Sequence, residues 1–585
     1  MANTMLSLIL IIAAGCLPHA AAKSFLRHQS ADTQEAVEAS LLAELAATFQ
    51  DGATKDNILK LEAALRPMYE TLPQEHDGSL GHSVVRYALH RFFAQRGWFI
   101  RGLEPAATAQ NASGEETLRD LQEWVPSFLQ GFLEQLSGGR GISLRELAVL
   151  AGTLEDLIHK EAIARLEQAF NALRLPLDLK LDSEQIAEVL EVYMMIYMLG
   201  GNFSMKDPEG VRKAHVAFVR QVKDWSRVQE WMQEVREEVH PTVSGAPALD
   251  FAGAGKVVEA ISERYGTYNE KECKILKSEL LSVESQRAGR VRLSEFYKKG
   301  LQGVFEFNEK IDYLRALGAL DESDPSQPHV IVPNYVGARP NCLVASSFYA
   351  ICCRNECENL MNALESSIGG EHAKPEQVLL MIRSLSSDTI AAPRNLSATL
   401  VKRLESIATR NEGMVPLHGR LFAQWMHHAY PRECPYPHPA GTVSPQTPDE
   451  WMQENGQQDS KASMEEMTAH VDNDKCTGSN CSEKSIGVEA RKHHHSEEND
   501  LPWSENEELL VPAKRVPFPS SKSTAAGEHR TFRTFISFLA LSSMASGLAL
   551  AFKKVKLDAK FPDLSSRGKA KEFNDRISED FFKIA

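Results

Sequence analysis

Spacings of three and four between apolar positions dominate the first half of this chain. Ala36, Val37, Leu41, Leu42 and Leu45 fall on one stripe of an amphipathic helix. Similar runs occupy Leu118–Leu136, Leu144–Leu173, Ile186–Leu199 and Val211–Val239, with breakers between them at Asp77-Gly78, Gly138-Gly139, Pro176 and Pro241. No stretch alternates with period two for long enough to predict a sheet. From about Asp32 to Asp312 the pattern therefore predicts an all-helical region of packed hairpins. With the signal-free chain ahead of it, this region is bounded as residues 23–325.

A second block, residues 326–452, reads differently. Val330-Ile331-Val332 predicts one short strand, and helices fit Pro375–Leu385 and Leu396–Ala408. The block holds a cysteine cluster and closes on a histidine- and aromatic-rich stretch, His418 to His438. From residue 453 to 531 the chain turns polar. Such a composition buries too little apolar surface to offset chain entropy, which predicts a disordered acidic stalk.

The two ends carry uninterrupted apolar runs. Met5–Gly15 is too short to cross a bilayer and leads into Ala20-Ala21-Ala22, the pattern of a cleaved signal peptide over residues 1–22. Thr534–Phe552 is uncharged, about as long as a bilayer core requires, and followed by Lys553, Lys554 and Lys556. Together they predict a single-pass type I membrane protein, with residues 553–585 as a cytosolic tail. Ser543, Gly547 and Ala551 recur every four residues and would let two spans approach closely as a homo-oligomer. In the tail, Phe573, Ile577 and Phe581 form one short apolar stripe.

Charge and cysteines agree with that compartment. The formal net charge is −15 while the tail is locally basic, so the ectodomain is acidic and a nucleic-acid role is excluded. After Cys16 leaves with the signal, eight cysteines remain: Cys273, Cys342, Cys352, Cys353, Cys357, Cys434, Cys476 and Cys481. An even number in an oxidising lumen points to disulfides, with 105 connectivities open. Asn111, Asn202, Asn395 and Asn480 open glycosylation sequons on the lumenal side.

Within the helical region, three turns resemble the EF-hand helix-loop-helix, whose paired loops join through a central aliphatic residue. They lie at Gly138–Glu146, Leu181–Gln185 and Gly289–Phe296. A calcium loop needs oxygen donors at positions one, three and five. The third turn has Glu284, Gln286 and Ala288 there, and the first has Gln135, Ser137 and Gly139. These turns are expected to be degenerate and free of calcium; ordinary helix-turn-helix packing is the alternative.

Two constellations could carry chemistry. Imidazole is the usual zinc and copper ligand, which makes His418, His427, His428 and His438 a candidate metal site for a metal-dependent enzyme. The run Trp425–Ala429 resembles the last ligand pair of type-3 copper enzymes, although no upstream His-x-x-x-His partner exists. His427 and His428 stand about 100° apart on a helix, so one straight helix cannot converge all of these rings. The other constellation is Cys342 ahead of a helix-like apolar run, with His418 as base. Gly-x-Ser-x-Gly, phosphate-binding Gly-rich and His-Glu-x-x-His motifs are absent.

Four blocks resemble a set of secreted or membrane-anchored proteins of dinoflagellates and related algae. They are Gly81–Phe93, Glu155–Glu161, Asn334–Cys342 and His418–His438. The resemblance implies a shared helical ectodomain with a Cys/His block and carries no activity with it. The reading favoured by the sequence is a non-enzymatic ectodomain binding a lumenal or extracellular protein or glycan. The metal-dependent enzyme is the competing class.

Overall fold

Helical periodicity builds most of the chain, and capping residues set where the helices begin. The computed structural model describes residues 52–101, 103, 141–200, 207–222, 225–241, 249–303, 305–346, 349–476 and 503–510. Helices α1 (Gly52–Thr71) and α2 (His82–Ala94) lead to strand β1 (Trp98–Ile100). Then come α3 (Leu144–Ala172), α4 (Ser183–Met198), α5 (Pro208–Gln221), α6 (Trp225–Val239) and α7 (Phe251–Leu281). Ser143 and Glu146 close a capping box at the start of α3, and Asp182 and Gln185 do the same for α4. The expected run Val211–Val239 is divided between α5 and α6. Residues 216–222, the last part of α5 and the residue after it, belong to a second unit.

The chain continues through β2 (Arg290–Arg292), α8 (Leu293–Leu301), α9 (Ile311–Ala316), β3 (Leu320–Asp321), β4 (His329–Ile331) and α10 (Val332–Val336). After a 3-10 turn at Arg339–Asn341 come β5 (Leu343–Val344), β6 (Tyr349–Ile351), α11 (Cys357–Ile368) and β7 (His372–Ala373). Then follow α12 (Pro375–Ser384), α13 (Ala398–Arg410), β8 (Val415–Pro416), α14 (Arg420–Ala429), α15 (Pro448–Asn455) and α16 (Met464–Cys476). The strands have two or three residues each, too few for a period of two to show in the sequence.

One device recurs along the described chain. Leu80 pairs antiparallel with Ile142, Leu181 with Leu249, Val291 with Val330, and Ala373 with Val415. The first two pairs exchange both backbone hydrogen bonds, at 2.8–2.9 Å. All eight residues are buried. Seven of them stand two positions before the first residue of a helix, the exception being Val415, five before Arg420. Gly78, Gly289 and Gly413 each precede a bridging residue by two and hold a left-handed backbone, with φ of 81°, 72° and 85°. At Gly289 a Cβ would also strike the carbonyl oxygen of Pro431, so only glycine fits.

Long helices carry one bridged pair into the next. α3 leaves the Leu80–Ile142 pair and runs toward the Leu181–Leu249 pair; α7 leaves that pair and runs toward Val291–Val330. At 31 residues α7 is about 46 Å long. Tyr69 on α1 fastens the first pair, its hydroxyl donating to the carbonyls of Gly78 and Ile142. Buried side chains from α7 to α10, joined by Trp451, Met467 and Val471, form one apolar core. Those from α11 to α14 form another.

Six of the eight candidate cysteines are paired: Cys273 with Cys353, Cys342 with Cys352, and Cys357 with Cys434. The side chains of Cys476 and Cys481 lie outside the described residues, as do Asn111, Asn202 and Asn480. Asn395 is exposed in the loop ahead of α13. The Cys342–Cys352 bond closes the hairpin β5–β6, which corrects the expected helix-like run after Cys342. β6 also pairs with β1, tying the segment after α2 to the hairpin.

Two further boundaries are corrected. The division at residue 325 would cut the pair formed by β2 and β4 and the Cys273–Cys353 bond, so the helical region and the Cys/His block share one core. The stalk expected from residue 453 is folded over part of its length. α16 packs on α8, with Met467 and Val471 buried, and residues 503–510 lie along α14, where the guanidinium of Arg420 donates to the carbonyls of Ser504 and Asn506. A few apolar residues at helical spacing suffice to dock such a segment, although its average composition is polar. The signal peptide, the span with Ser543, Gly547 and Ala551, and the tail lie outside the described residues. Among the described residues no helix is long and apolar enough to cross a membrane.

Candidate functional site

Three of the distinctive sequence blocks meet around a cleft of about 750 Å³. Arg86 and His90 of α2 form one side, and Trp98 and Phe99 of β1 lie beside them. Asn334 and Arg339 come from α10 and the turn after it, and a proline-rich loop from Pro435 to Gln446 closes the far wall. That loop is held by side chains rather than by regular structure. Asn334 Nδ2 donates to the carbonyls of Gly318 and Tyr436 (2.9 and 3.0 Å), while the Tyr436 amide donates back to Asn334 Oδ1 at 2.7 Å. The Ser444 amide donates to Ala316, and the Tyr313 hydroxyl to Gln446.

The lining reverses the charge of the chain. Six basic side chains face the cleft, Arg86, Arg101, Lys277, Arg339, Arg354 and Arg432, against the carboxylates of Glu356, Glu433, Glu450 and Glu508. Arg101 pairs with Glu450 at 2.8 Å, Lys277 with Glu356 at 2.7 Å, and Arg432 with Glu284 at 2.7 Å. Arg339 lies over the ring of Phe99, 3.6 Å from its centroid. Arg354 donates to the Thr267 hydroxyl at 2.7 Å. Burial works to raise the Glu450 carboxyl, but the Thr447 amide, Arg101 and Arg339 outweigh it and hold it below the usual range. Two of the four carboxylates in the lining, Glu356 and Glu450, are thus engaged by cations of the lining, and basic side chains outnumber acidic ones around the cleft.

The four candidate histidines do not converge, which corrects the expected metal site. His427 is fully buried, with Nδ1 2.7 Å from the carbonyl oxygen of Cys434 and Nε2 3.1 Å from NH1 of Arg290. A carbonyl only accepts and a guanidinium only donates, so Nδ1 carries the proton and Nε2 accepts a hydrogen bond from Arg290. Both ring nitrogens are spent. Burial, then Arg290 and His428, hold its proton affinity well below the usual histidine value. His418 sits with Thr71 and Arg91, and Arg91 is clamped between Glu358 and Glu365. His438 Nε2 donates to the Gly318 carbonyl at 2.8 Å, and His428 lies against Trp503. Among the described residues no three His, Cys, Asp or Glu side chains gather as metal ligands would. Cys342 is no free nucleophile, being bonded to Cys352.

Sequence reasoning passed over the arginines of the cleft. They are scattered from residue 86 to residue 432 and form no basic run; Arg86, Arg339 and Arg432 lie in blocks that stood out, but for reasons other than their charge. No protein-family model, no curated protein and no solved structure matches the chain.

Proposed function

We propose that this chain is a single-pass type I membrane protein whose lumenal or extracellular body binds an anionic segment of a protein or glycan in the arginine-lined cleft. The observation that carries this reading is the six basic side chains around one cleft in a chain of formal net charge −15. Acidic surroundings and a basic cleft steer an anionic ligand to one place and disfavour it elsewhere. The signal pattern, the uncharged run Thr534–Phe552 and the sequons support the topology. The likeness to secreted and membrane-anchored algal proteins points the same way.

The bridged pairs are, in this reading, degenerate EF-hand-like hairpins. Support comes from the buried aliphatic residue two positions ahead of the following helix, in seven cases of eight, and from the left-handed glycines at Gly78 and Gly289, six residues into the loops. The donor sets are incomplete, and carboxylates such as Asp77 and Glu284 accept hydrogen bonds from the protein itself, so the pairs serve as a rigid scaffold for the cleft. A metal-dependent enzyme is not proposed, because the hydrogen bonds of His427 already use both ring nitrogens.

The test uses the full chain in detergent micelles, titrated with labelled oligogalacturonate and labelled oligo-glutamate. Binding of either that falls tenfold or more in the Arg86→Glu, Arg354→Glu double variant, and weakens with salt, is expected. Absence of saturable binding to both polymers, or an unchanged affinity in the double variant, would overturn the reading.

A further inference from the structure

A second chamber, of about 390 Å³, shares no lining residue with the cleft. It lies against the segment Asn308–Lys310, which is bridged to residues 460–462: the Lys310 amide donates to Ser460, the Ala462 amide to Asn308, and Glu309 pairs with Lys461. Its walls include Phe305, Phe307, Tyr313 and Tyr335, and Lys461 and Glu306 form an ion pair at its rim. The rings are set together, with Phe305 and Phe307 stacked at 5.5 Å and Phe307 edge-on to Tyr335 at 5.9 Å.

Glu309 also lines the chamber, and its residue is only 7% exposed. Oε1 accepts from the Tyr335 hydroxyl at 2.9 Å, and the Tyr297 hydroxyl donates to the Glu309 carbonyl. Oε2 is buried with no hydrogen-bond partner. A buried acceptor left unpaired is costly, and more so when charged, so a donor brought to Oε2 from the chamber would be held there.

The chemistry of the chamber selects that donor by elimination. An anion would meet the carboxylate and be repelled. A hard divalent cation needs several oxygen ligands, and one carboxylate among aromatic rings does not supply them. A neutral apolar molecule would fill the walls and leave Oε2 unpaired. A cation that is both an N–H donor and apolar on its other side meets every surface: the carboxylate takes the charge and the faces of the rings attract it further. We propose that this chamber binds a small organic ammonium ion, its nitrogen at Glu309 Oε2 and its carbon substituents against Phe305, Phe307, Tyr313 and Tyr335. The Lys461 ammonium at the rim repels such a ligand, and Glu306 offsets that repulsion.

The test titrates the full chain in detergent micelles at pH 8 with n-butylammonium chloride, following saturation-transfer NMR, with n-butanol as the uncharged control. Saturable butylammonium binding at least tenfold tighter than butanol is expected. It should fall tenfold or more in Glu309→Gln, fall severalfold in Phe305→Leu, and tighten in Lys461→Gln. Equal affinity for the amine and the alcohol, or affinity retained in a folded Glu309→Gln variant, would overturn the proposal. So would the lack of saturable binding to the folded wild type. Should Glu309→Gln fail to fold, the opposite effects expected of Phe305→Leu and Lys461→Gln decide the matter, and no change in either would overturn it.

Discussion

Arg432 grips the carboxylate of Glu284 from two nitrogens, Nε at 2.8 Å from Oε1 and NH2 at 2.7 Å from Oε2. Glu284 opens the loop that leads through Gly289 to the bridging residue Val291, and its Oε1 also accepts from the Gly289 amide. The cation served by this loop is therefore a guanidinium from 148 residues further along the chain. Arg432→Met is expected to lower stability by about 1–2 kcal/mol, a value reduced by the partial exposure of the pair. Millimolar calcium should leave the urea midpoint of both proteins unchanged, since Gln286 and Ala288 supply no carboxylate. A calcium-dependent rise in the midpoint of either would show that the loop is not degenerate.

The two long disulfide loops and the short one should differ in effect. Cys357 and Cys434 lie 77 residues apart and join the start of α11 to the chain after α14, whereas Cys342 and Cys352 are separated by ten. On chain entropy alone, removing the long bond costs about 4.5 kcal/mol and the short one about 3 kcal/mol. The double serine variants at each pair, compared by urea unfolding, should rank in that order. A larger loss at Cys342–Cys352 would mean that the hairpin β5–β6 depends on its bond for more than loop closure.

Acid should loosen the core around His427. In the folded protein its proton affinity is depressed by burial, by Arg290 and by His428, while in the unfolded chain it titrates near pH 6.5. Below about pH 6.5 the unfolded chain takes up a proton that the folded one refuses, so stability falls as pH drops. His427→Gln should make the fall between pH 6.5 and 5 shallower by up to about 1.4 kcal/mol per pH unit, even though the variant starts less stable at pH 7. Urea midpoints at pH 7, 6 and 5 measure it; parallel slopes would contradict the neutral, doubly bonded ring.

Legibility in the sequence follows how local each cause is. The helix at Leu144–Leu173 and those at Pro375–Leu385 and Leu396–Ala408 were readable because periodicity and caps such as Ser143 act within a few residues. The loop through Gly289 and Val291 was readable for the same reason. Its partner Val330 was read as an isolated strand, because the chain between Ala316 and Val330 has no comparable glycine two positions earlier, Pro328 standing there instead. The pairing of Ala373 with Val415 depends on two stretches 42 residues apart, and nothing local marks either. The cleft is less legible still. Arg86, Arg354 and Arg432 are ordinary exposed-type residues in sequence, and only the packing of α2, α7 and the proline-rich loop gives them a common surface. His418, His427 and His438 show the reverse case: neighbours in sequence that point to different partners.

Glu309 titrates in the opposite sense to His427. Burial pushes its carboxyl up to about 7, against the weaker pull of its own amide, the Tyr335 hydroxyl, the Asn308 amide and Lys461. The unfolded chain loses this proton near pH 4.5, so between about pH 4.5 and 7 the folded state holds a proton that the unfolded state has released. Stability from this group is present at low pH and lost as pH rises through 7. Glu309→Gln cannot ionise and escapes the loss. Relative to wild type, the glutamine variant should therefore gain about 3 kcal/mol between pH 4.5 and pH 8. The ion pair of Lys461 and Glu306 beside the chamber is common to both proteins. Urea unfolding at pH 5, 6.5 and 8 reads the difference directly. A gain that grows with pH places an uncompensated carboxylate in the chamber at pH 8. A constant difference would mean that Oε2 reaches water and that Glu309 titrates as an ordinary surface carboxylate.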